Sequence, residues 1–204
     1  MHLSCRWINI EEFLVKNVDS VLQMLKGYEI LPRLNNQGRR PEQVYFSWMR
    51  GWVSSLFFTK ALAKVFAIDE KDFAITGKDN LANPANFARQ PEADFEIKLQ
   101  DKVLRIEMQS GYQGVNDIKE YKVREARRQS REQGICTVVV HFDIFNGQVA
   151  FVNLSTITDD NIHWITRQQM EGQTVFNIDQ SCFIWNLRQT PPTLDSIKNL
   201  IFEQ

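Results

Sequence analysis

Alternation of apolar and polar residues in two runs within 94–109 is the feature that most constrains the fold of this chain. A period of two is typical of a β-strand, because successive side chains point to opposite faces of a sheet. Asp101 and Lys102 separate two such runs, and this arrangement predicts a β-hairpin. One face comprises Phe95, Ile97, Leu99, Leu104, Ile106 and Met108, and the other comprises Asp94, Glu96, Lys98, Arg105, Glu107 and Gln109.

The polar face concentrates carboxylates at one end of the hairpin. A two-residue turn at 101–102 sets Glu96 opposite Glu107. It also sets Asp94 opposite Gln109. Like charges directly opposed on a sheet are destabilising, so a compensating cation is expected. Mg²⁺ is bound by one or two carboxylates together with substrate phosphate, which makes Asp94, Glu96 and Glu107 candidate metal ligands.

The same residues permit an alternative in which the polar face is an ordinary solvated sheet surface. In that case Glu96 and Glu107 pair with Lys98 and Arg105, and the carboxylates need no metal. The spacing of the residues alone leaves both interpretations open.

Apolar periodicity and turn residues outline the rest of the fold. Helices are predicted at 9–26, 42–66, 117–132, 159–171 and 194–202, strands at 94–100, 103–109, 135–145 and 148–154, one or two short strands within 174–187, and a loop at 76–93. Asp117 and Glu120 have the spacing of a capping box, Gly134 is expected to end that helix, and Asn146-Gly147 is typical of a hairpin turn. These elements predict a single α/β domain whose mixed sheet is flanked by helices.

The composition is that of a soluble globular protein, with 204 residues of which 43% are hydrophobic and 24% charged. The most apolar stretch, 52–68, contains Lys60 and Lys64, so no membrane span is expected. The first residues lack the apolar segment of a signal peptide, which predicts a cytoplasmic location. Three widely spaced cysteines argue against a disulfide framework or a zinc site, and nucleotide-binding and serine-hydrolase motifs are absent.

Charge is distributed unevenly along the chain. Residues 1–134 contain 21 Lys and Arg against 18 Asp and Glu, whereas 135–204 contain 3 against 7. A polyanionic partner is therefore expected to meet the first two-thirds of the chain. The candidate phosphate contacts are Arg33, Arg39, Arg40, Arg124, Arg127 and Arg128, while Tyr112 and Gln113 can meet bases or sugars in a loop whose two glycines allow close approach. Alternatively, the arginines lie on a solvated helix face or loop, and the loop with the two glycines is only a flexible connection.

One arrangement of residues resembles a known superfamily. Pro91-x-x-Asp94 is followed thirteen residues later by Glu107-x-Gln109 at the end of a hairpin strand, then by a helix and a buried strand. This order resembles the PD-(D/E)XK nucleases, and the run from Glu107 to Lys119 is most similar to bacterial type II restriction endonucleases. The resemblance covers about residues 42–145, within a predicted catalytic core at 42–154 that a helix and strand extension follows at 155–204.

The resemblance implies a Mg²⁺-dependent endonuclease that cuts double-stranded DNA at a specific sequence and leaves 5′-phosphate and 3′-hydroxyl ends. Asp94 and Glu107 match the metal ligands of the family. The resemblance also implies a homodimer that binds a palindromic DNA site in the cytoplasm of a bacterium or archaeon. A cognate DNA methyltransferase is expected in the same system. The alternatives are a repair or recombination nuclease that reads DNA structure, and a binding or assembly module without activity.

Gln109 departs from the family pattern, which usually has lysine at that position. Glutamine can hydrogen-bond a water molecule but brings no positive charge, so the electrostatic work would shift to the metal or to another cation. The predicted helix that follows offers Lys119 and Lys122 on the side expected to face the sheet. Three residues are therefore candidates for the group that assists hydrolysis: Gln109, Lys119 and Lys122.

Overall fold

The computed structural model describes most of the C-terminal two-thirds of the chain and parts of the remainder, namely residues 12, 16, 19–27, 54, 57–75, 94–99, 102–111, 114–168 and 172–202. The helices are α1 Ser20–Gly27, α2 at 57–66, α3 Glu120–Gln133 and α4 Leu194–Phe202, with single 3₁₀ turns at Glu70–Asp72 and Gln180–Cys182. The strands are β1 Ala74–Ile75, β2 Phe95–Leu99, β3 Lys102–Gly111, β4 Asp117–Lys119, β5 Cys136–Asp143, β6 Gln148–Asn153, β7 Ile165–Arg167, β8 Gln173–Asn177 and β9 Trp185–Asn186.

The larger of the two described sheets is mixed and has the strand order β1-β2-β3-β5-β6-β9. Near its middle, β3 is antiparallel to β2 and parallel to β5. A parallel pair needs a crossover connection, which β4 and α3 provide. β4 also belongs to a smaller sheet of order β4-β8-β7. The described residues thus form one α/β domain with a mixed sheet, as the sequence predicts.

Two apolar clusters cover opposite faces of the large sheet. The first includes Leu62 and Phe66 of α2, Ile197 and Ile201 of α4, and Leu104, Ile106, Met108, Val138 and Phe142 of the sheet. The second includes Val123 and Ala126 of α3, Phe176 of β8, and Val139 and Ala150 of the sheet. Because side chains alternate along β3, Leu104, Ile106 and Met108 enter the first cluster, and Arg105, Glu107 and Gln109 lie on the α3 side.

The hairpin has the predicted faces but not the predicted register. Glu96 pairs with Arg105 and Leu99 with Lys102, two residues away from the expected pairing. A shift of two leaves every side chain on its own face of the sheet. The predicted opposition of Glu96 and Glu107 is wrong, and an ion pair between Glu96 and Arg105 at 3.3 Å takes its place. At Glu96 this register replaces a like-charge neighbour with an opposite-charge one, which is the more favourable cross-strand contact.

The helix predicted over 159–171 is also wrong. Residues 165–167 form β7, which pairs antiparallel with β8. Trp164 packs edge-on against Phe176, with 5.7 Å between the ring centroids. Strand pairing and this aromatic contact use the apolar residues that suggested a helical stripe, so tertiary packing overrides the local pattern.

The crossover helix begins later than predicted. Asp117 is in β4, and α3 starts at Glu120 after Lys119, an N-cap without a side-chain hydrogen bond. The predicted capping box is therefore wrong, because Arg167 binds the Asp117 carboxylate. The predicted end of the helix is confirmed, since Gly134 adopts the left-handed conformation with φ of 67°.

Much of the remaining prediction is confirmed where the structure describes it. β5 and β6 lie within predicted strands, and Gly147 has φ of 68° in the Asn146-Gly147 turn. β8 and β9 are the short strands expected around 174–187, and α4 has the predicted bounds. α1 and α2 lie within or at the end of the first two predicted helices. Most of the rest of those two helices, and the predicted loop at 76–93, lie outside the described residues.

Gly111 ends β3 at a point where the backbone leaves no room for a side chain. A Cβ at this position would lie 2.5 Å from Asn116 Oδ1, 2.7 Å from Val115 O and 2.9 Å from His141 Nε2. The sequence suggested that a glycine here lets a ligand approach the backbone. The groups that approach Gly111 are instead polar atoms of the chain itself.

Gly111→Ala is expected to lower the free energy of unfolding by about 1–3 kcal/mol, the usual cost of overpacking a filled site. Urea unfolding followed by circular dichroism measures this change. Gly27→Ala is the matched control, because a Cβ at Gly27 meets nothing within 4 Å. Equal stability of the Gly111 variant and the wild type would contradict the packing described.

Candidate active site

Asp94 marks the end of the pairing between β2 and β3. Its Oδ2 accepts a hydrogen bond of 2.6 Å from Met108 N, so the side chain takes the place of a backbone partner. The register of the hairpin, continued by one residue, sets Asp94 across from Glu107. The predicted opposition of Asp94 and Gln109 is therefore wrong, and the Asp94 and Glu107 carboxylates come from facing positions on neighbouring strands.

Glu107 lies on the sheet face that α3 covers. Lys122, in the first turn of α3, donates a hydrogen bond to Glu107 Oε1. The Glu107 side chain is 16% exposed and the Lys122 side chain 24%, so water screens this ion pair only in part. The β5 neighbour of Glu107 is Val139, a member of the second apolar cluster. A largely buried carboxylate in such surroundings is stabilised by a cationic partner.

Burial of Lys122 favours the neutral amine, yet the pKa of Lys122 is raised above its ordinary value. Burial is the largest single effect, but attraction to the Glu107 carboxylate and smaller contributions from Tyr121 and Asp94 together outweigh it. Lys122 is therefore a charged ammonium group at neutral pH. It lies within electrostatic reach of both carboxylates.

The next turn of α3 continues this match of charges between helix and sheet. Glu125 lies three residues beyond Lys122, and its pKa is lowered by a hydrogen bond from Arg128 and, to a smaller extent, by Arg105 of β3. The helix thus presents a cation to Glu107 and an anion toward Arg105. The direct contact that holds α3 over the polar face of the hairpin is the ion pair of Lys122 with Glu107.

Gln109 is tied to the backbone of the crossover. Its Nε2 donates a hydrogen bond to Asp117 O at 2.7 Å. Its Oε1 is buried and, within the part of the chain that the structure describes, has no hydrogen-bond partner. The donor end of this amide joins β3 to β4, which indicates a positioning role for Gln109.

An ion pair with a buried carboxylate fixes the segment that precedes α3. The fully buried Asp117 carboxylate accepts hydrogen bonds from Arg167 Nε at 2.8 Å and Nη2 at 3.4 Å. Asn177 Nδ2 donates to the same carboxylate at 3.1 Å. Sequence analysis missed this cluster, because 50 residues separate Asp117 from Arg167 and no local pattern links them. The cluster anchors β4, and with it the start of α3, to the small sheet.

Lys119 and Glu96, the other lysine and acid predicted for the site, have partners of their own. Lys119 Nζ lies 5.9 Å from the centroid of the Tyr121 ring. Glu96 is paired with Arg105, as the solvated-face interpretation expects of this residue. The structure therefore brings Asp94, Glu107 and Lys122 together, and it places Glu96 in a separate ion pair.

Three arginines of α3 form ion pairs with acidic residues. Ion pairs join Arg124 to Glu120, Arg127 to Asp159, and Arg128 to both Glu125 and Glu132. This balance favours a solvated face, and contact of these arginines with DNA phosphates stays a prediction. The remaining candidate DNA contacts, Arg33, Arg39, Arg40, Tyr112 and Gln113, lie outside the described residues.

A second polar cluster lies where β3 and β5 end. Asp143 accepts hydrogen bonds from Asn146 N at 3.0 Å, Asn146 Nδ2 at 2.7 Å and Asn116 Nδ2 at 2.9 Å. Asn116 Oδ1 in turn lies 2.9 Å from Nε2 of the buried His141. Burial tends to raise the pKa of Asp143, but these hydrogen bonds outweigh it and hold the pKa below its ordinary value. The cluster fixes Asn116, the residue before β4.

The carboxylates of Asp94 and Glu107 suit a hard divalent cation. Mg²⁺ is commonly held by one or two carboxylates, with water and substrate phosphate completing its ligands. The ammonium of Lys122 beside Glu107 indicates that positive charge is stabilised at this position. Among the described residues, no group of three or more His, Cys, Asp or Glu side chains is placed to hold a metal. Binding at this pair would therefore depend on the substrate for further ligands.

Comparison with known proteins matched the chain to no family model and to no curated protein. Within the described ranges, no helix has the length and apolar character needed to cross a membrane. The described residues form an α/β domain with a mixed sheet. The candidate site in it consists of two carboxylates, Asp94 and Glu107, and the ammonium group of Lys122. The chemistry of these three side chains is what indicates a function.

Asp143→Asn is expected to lower the free energy of unfolding near neutral pH by about 1–3 kcal/mol, because the donors on Asn116 and Asn146 lose a charged acceptor. The folded pKa of Asp143 lies below its ordinary value of 3.8. The stabilisation is therefore complete above that value and is lost as the pH falls through the lower folded pKa. Urea unfolding of both proteins at neutral and strongly acidic pH should show the difference between them shrinking. A difference of the same size at both pH values would contradict this role.

Proposed function

We propose that this protein is a Mg²⁺-dependent endonuclease that hydrolyses phosphodiester bonds of double-stranded DNA. The observation that carries the proposal is the convergence of the Asp94 and Glu107 carboxylates with the Lys122 ammonium. A hairpin followed by a helical crossover to a parallel strand supports a restriction-endonuclease-like fold. The motif resemblance favours sequence-specific cleavage of restriction type by a homodimer.

Hydrolysis of a phosphodiester requires an oriented water molecule and relief of negative charge at the phosphate. Mg²⁺, when bound, would supply Lewis-acid charge at the scissile phosphate. Asp94 and Glu107 would hold it through carboxylate oxygens. The hydrogen bond from Met108 N restrains Asp94, and its central position in the sheet restrains Glu107. Both ligands thus belong to the rigid part of the domain, which favours a preorganised site.

Lys122 takes over the charge that the family usually places two residues after the second acid. Its ammonium can hydrogen-bond a phosphate oxygen or the attacking water, and its raised pKa keeps it protonated at neutral pH. Gln109, at the family position, brings no charge and is engaged with Asp117 O. It acts as a positioning residue that holds β3 against β4, and so sets the start of α3 relative to Glu107.

Incubation of the purified protein with a panel of plasmids and Mg²⁺ tests the proposal. Discrete fragments with ligatable 5′-phosphate ends are expected. Glu107→Gln, which preserves the size of the side chain, is the control for a contaminating nuclease. Cleavage without discrete sites would favour a structure-reading nuclease of the same fold. Failure to cut any DNA with Mg²⁺ or Mn²⁺ would contradict the catalytic proposal and favour a binding module.

Asp94→Asn and Glu107→Gln are each expected to slow cleavage by about 10²-fold or more, the scale on which loss of one transition-state-stabilising group acts. Glu96→Gln is the matched comparison on the same sheet face, and its effect should be smaller because Glu96 pairs with Arg105. Initial rates on a cleavable plasmid, with thermal unfolding of each variant, make the comparison. A Glu107→Gln protein that cuts at the wild-type rate, while Asp94→Asn prepared in the same way is inactive, would exclude Glu107 from the mechanism.

Lys122→Met is expected to slow single-turnover cleavage by about 10²-fold, since the transition state loses a positioned charge. Lys122→Arg should recover part of the rate. Gln109→Ala should cost less in rate but lower the free energy of unfolding by about 1 kcal/mol, the value of its hydrogen bond. A larger loss of rate in Gln109→Ala than in Lys122→Met would reverse the roles assigned to these two residues.

A further inference from the structure

We propose that Lys122 and a divalent cation compete for the Glu107 carboxylate, so that metal binding displaces the Lys122 ammonium toward the substrate phosphate. The inference rests on the metal site of the proposed function and specifies the state of that site before metal binds. In that state Lys122 is the counter-ion of the carboxylate pair. Once the metal is bound, Lys122 becomes a phosphate-binding group.

The contact between Lys122 and Glu107 carries the inference. Lys122 Nζ donates directly to Glu107 Oε1, an oxygen that a metal ion at this site would need. Both side chains are largely shielded from water, with exposures of 24% and 16%. Charges in such a place interact more strongly than on an open surface, so the occupant of this oxygen matters to the stability of the site.

Repulsion between the carboxylates explains why a cation is needed before metal binds. Asp94 and Glu107 come from facing positions at the end of the hairpin, and like charges so placed destabilise a sheet. Lys122 offsets this repulsion directly at Glu107 and at longer range at Asp94. Loss of the ammonium without a replacement should therefore destabilise the metal-free protein.

A metal ion and the ammonium group cannot occupy the same carboxylate oxygen, because both are positive and would meet at contact distance. The lysine side chain has a flexible four-carbon stem, so its head can move while α3 stays in place. The ion pair of the buried Asp117 carboxylate with Arg167 holds the start of that helix independently of Lys122.

The displaced ammonium needs a new anion, and the phosphate that completes the metal shell can serve. Metal and phosphate then each favour binding of the other, and this coupling is reciprocal by linkage. The site would bind metal weakly when empty of DNA and more tightly when phosphate is present.

Isothermal titration calorimetry of Mg²⁺ into the DNA-free protein tests the competition. Lys122→Met should bind Mg²⁺ about tenfold more tightly than the wild type, because no ion pair of this kind has to be broken. Lys122→Arg should stay near the wild-type affinity. Lys71→Met is the matched control, since it removes the same charge from an exposed pair with Asp69 at 3.2 Å and should leave the affinity unchanged.

Thermal unfolding gives a second reading that does not depend on cleavage. In EDTA, Lys122→Met should melt at a lower temperature than the wild type, and Mg²⁺ should recover more of the loss than it adds to the wild type. Lys122→Gln, which can still hydrogen-bond Glu107 without a charge, should behave in the same way if Lys122→Met does not fold.

Two results would overturn the inference, and they differ. Equal or weaker Mg²⁺ binding by both neutral variants would show that Lys122 does not compete with the metal, and would leave the metal site of the proposed function intact. Absence of Mg²⁺ binding by the wild type and by every Lys122 variant would remove the metal site itself. In that case the proposed function fails together with the inference.

Discussion

The ion pair between Lys122 and Glu107 is the interaction on which the account of this protein depends, because it joins the sheet to the crossover helix at the candidate site. Two carboxylates at facing positions of a hairpin repel each other, and a protein tolerates them only with a cation close by. In this structure the cation is an ammonium group from α3. The same electrostatic demand makes the position suitable for a divalent metal.

The topology of the sheet produces this contact. Because β3 and β5 are parallel, the chain between them must cross one face of the sheet, and it crosses the polar face of the hairpin. Asp117 fixes where the crossover begins, through its carboxylate bound to Arg167 and its carbonyl bound to Gln109. The first turn of α3 is thereby positioned over Glu107, and its third residue is Lys122.

The alternation in 94–109 was enough to predict the faces of the hairpin, since the period of two assigns every side chain to a side of the sheet. It was not enough to predict the register, in which Glu96 forms an ion pair with Arg105. The observed register differs from the predicted one by two residues, so Asp94 lies opposite Glu107 and not opposite Gln109. The two proposed metal ligands are therefore closer together than the predicted register would place them. Faces are a local property of a sequence, whereas register depends on which charges meet across strands.

Other features of the site depended on contacts that no local pattern contains. The periodicity of the crossover helix offered both Lys119 and Lys122, and only the observed start of α3 distinguishes them. The pairing of Asp117 with Arg167 spans residues from two distant strands, and it turned an expected capping residue into part of β4. Long-range ion pairs of this kind override helix-start signals because they satisfy a buried charge.

The most direct test of the account is the location of a metal ion in crystals grown with Mn²⁺, by anomalous scattering at the manganese edge. The predicted result is a peak at roughly 2.1 Å from carboxylate oxygens of both Asp94 and Glu107, a distance usual for such cations. Lys122 Nζ should then have moved away from Glu107. A peak elsewhere in the molecule, with Lys122 still bound to Glu107, would contradict the account.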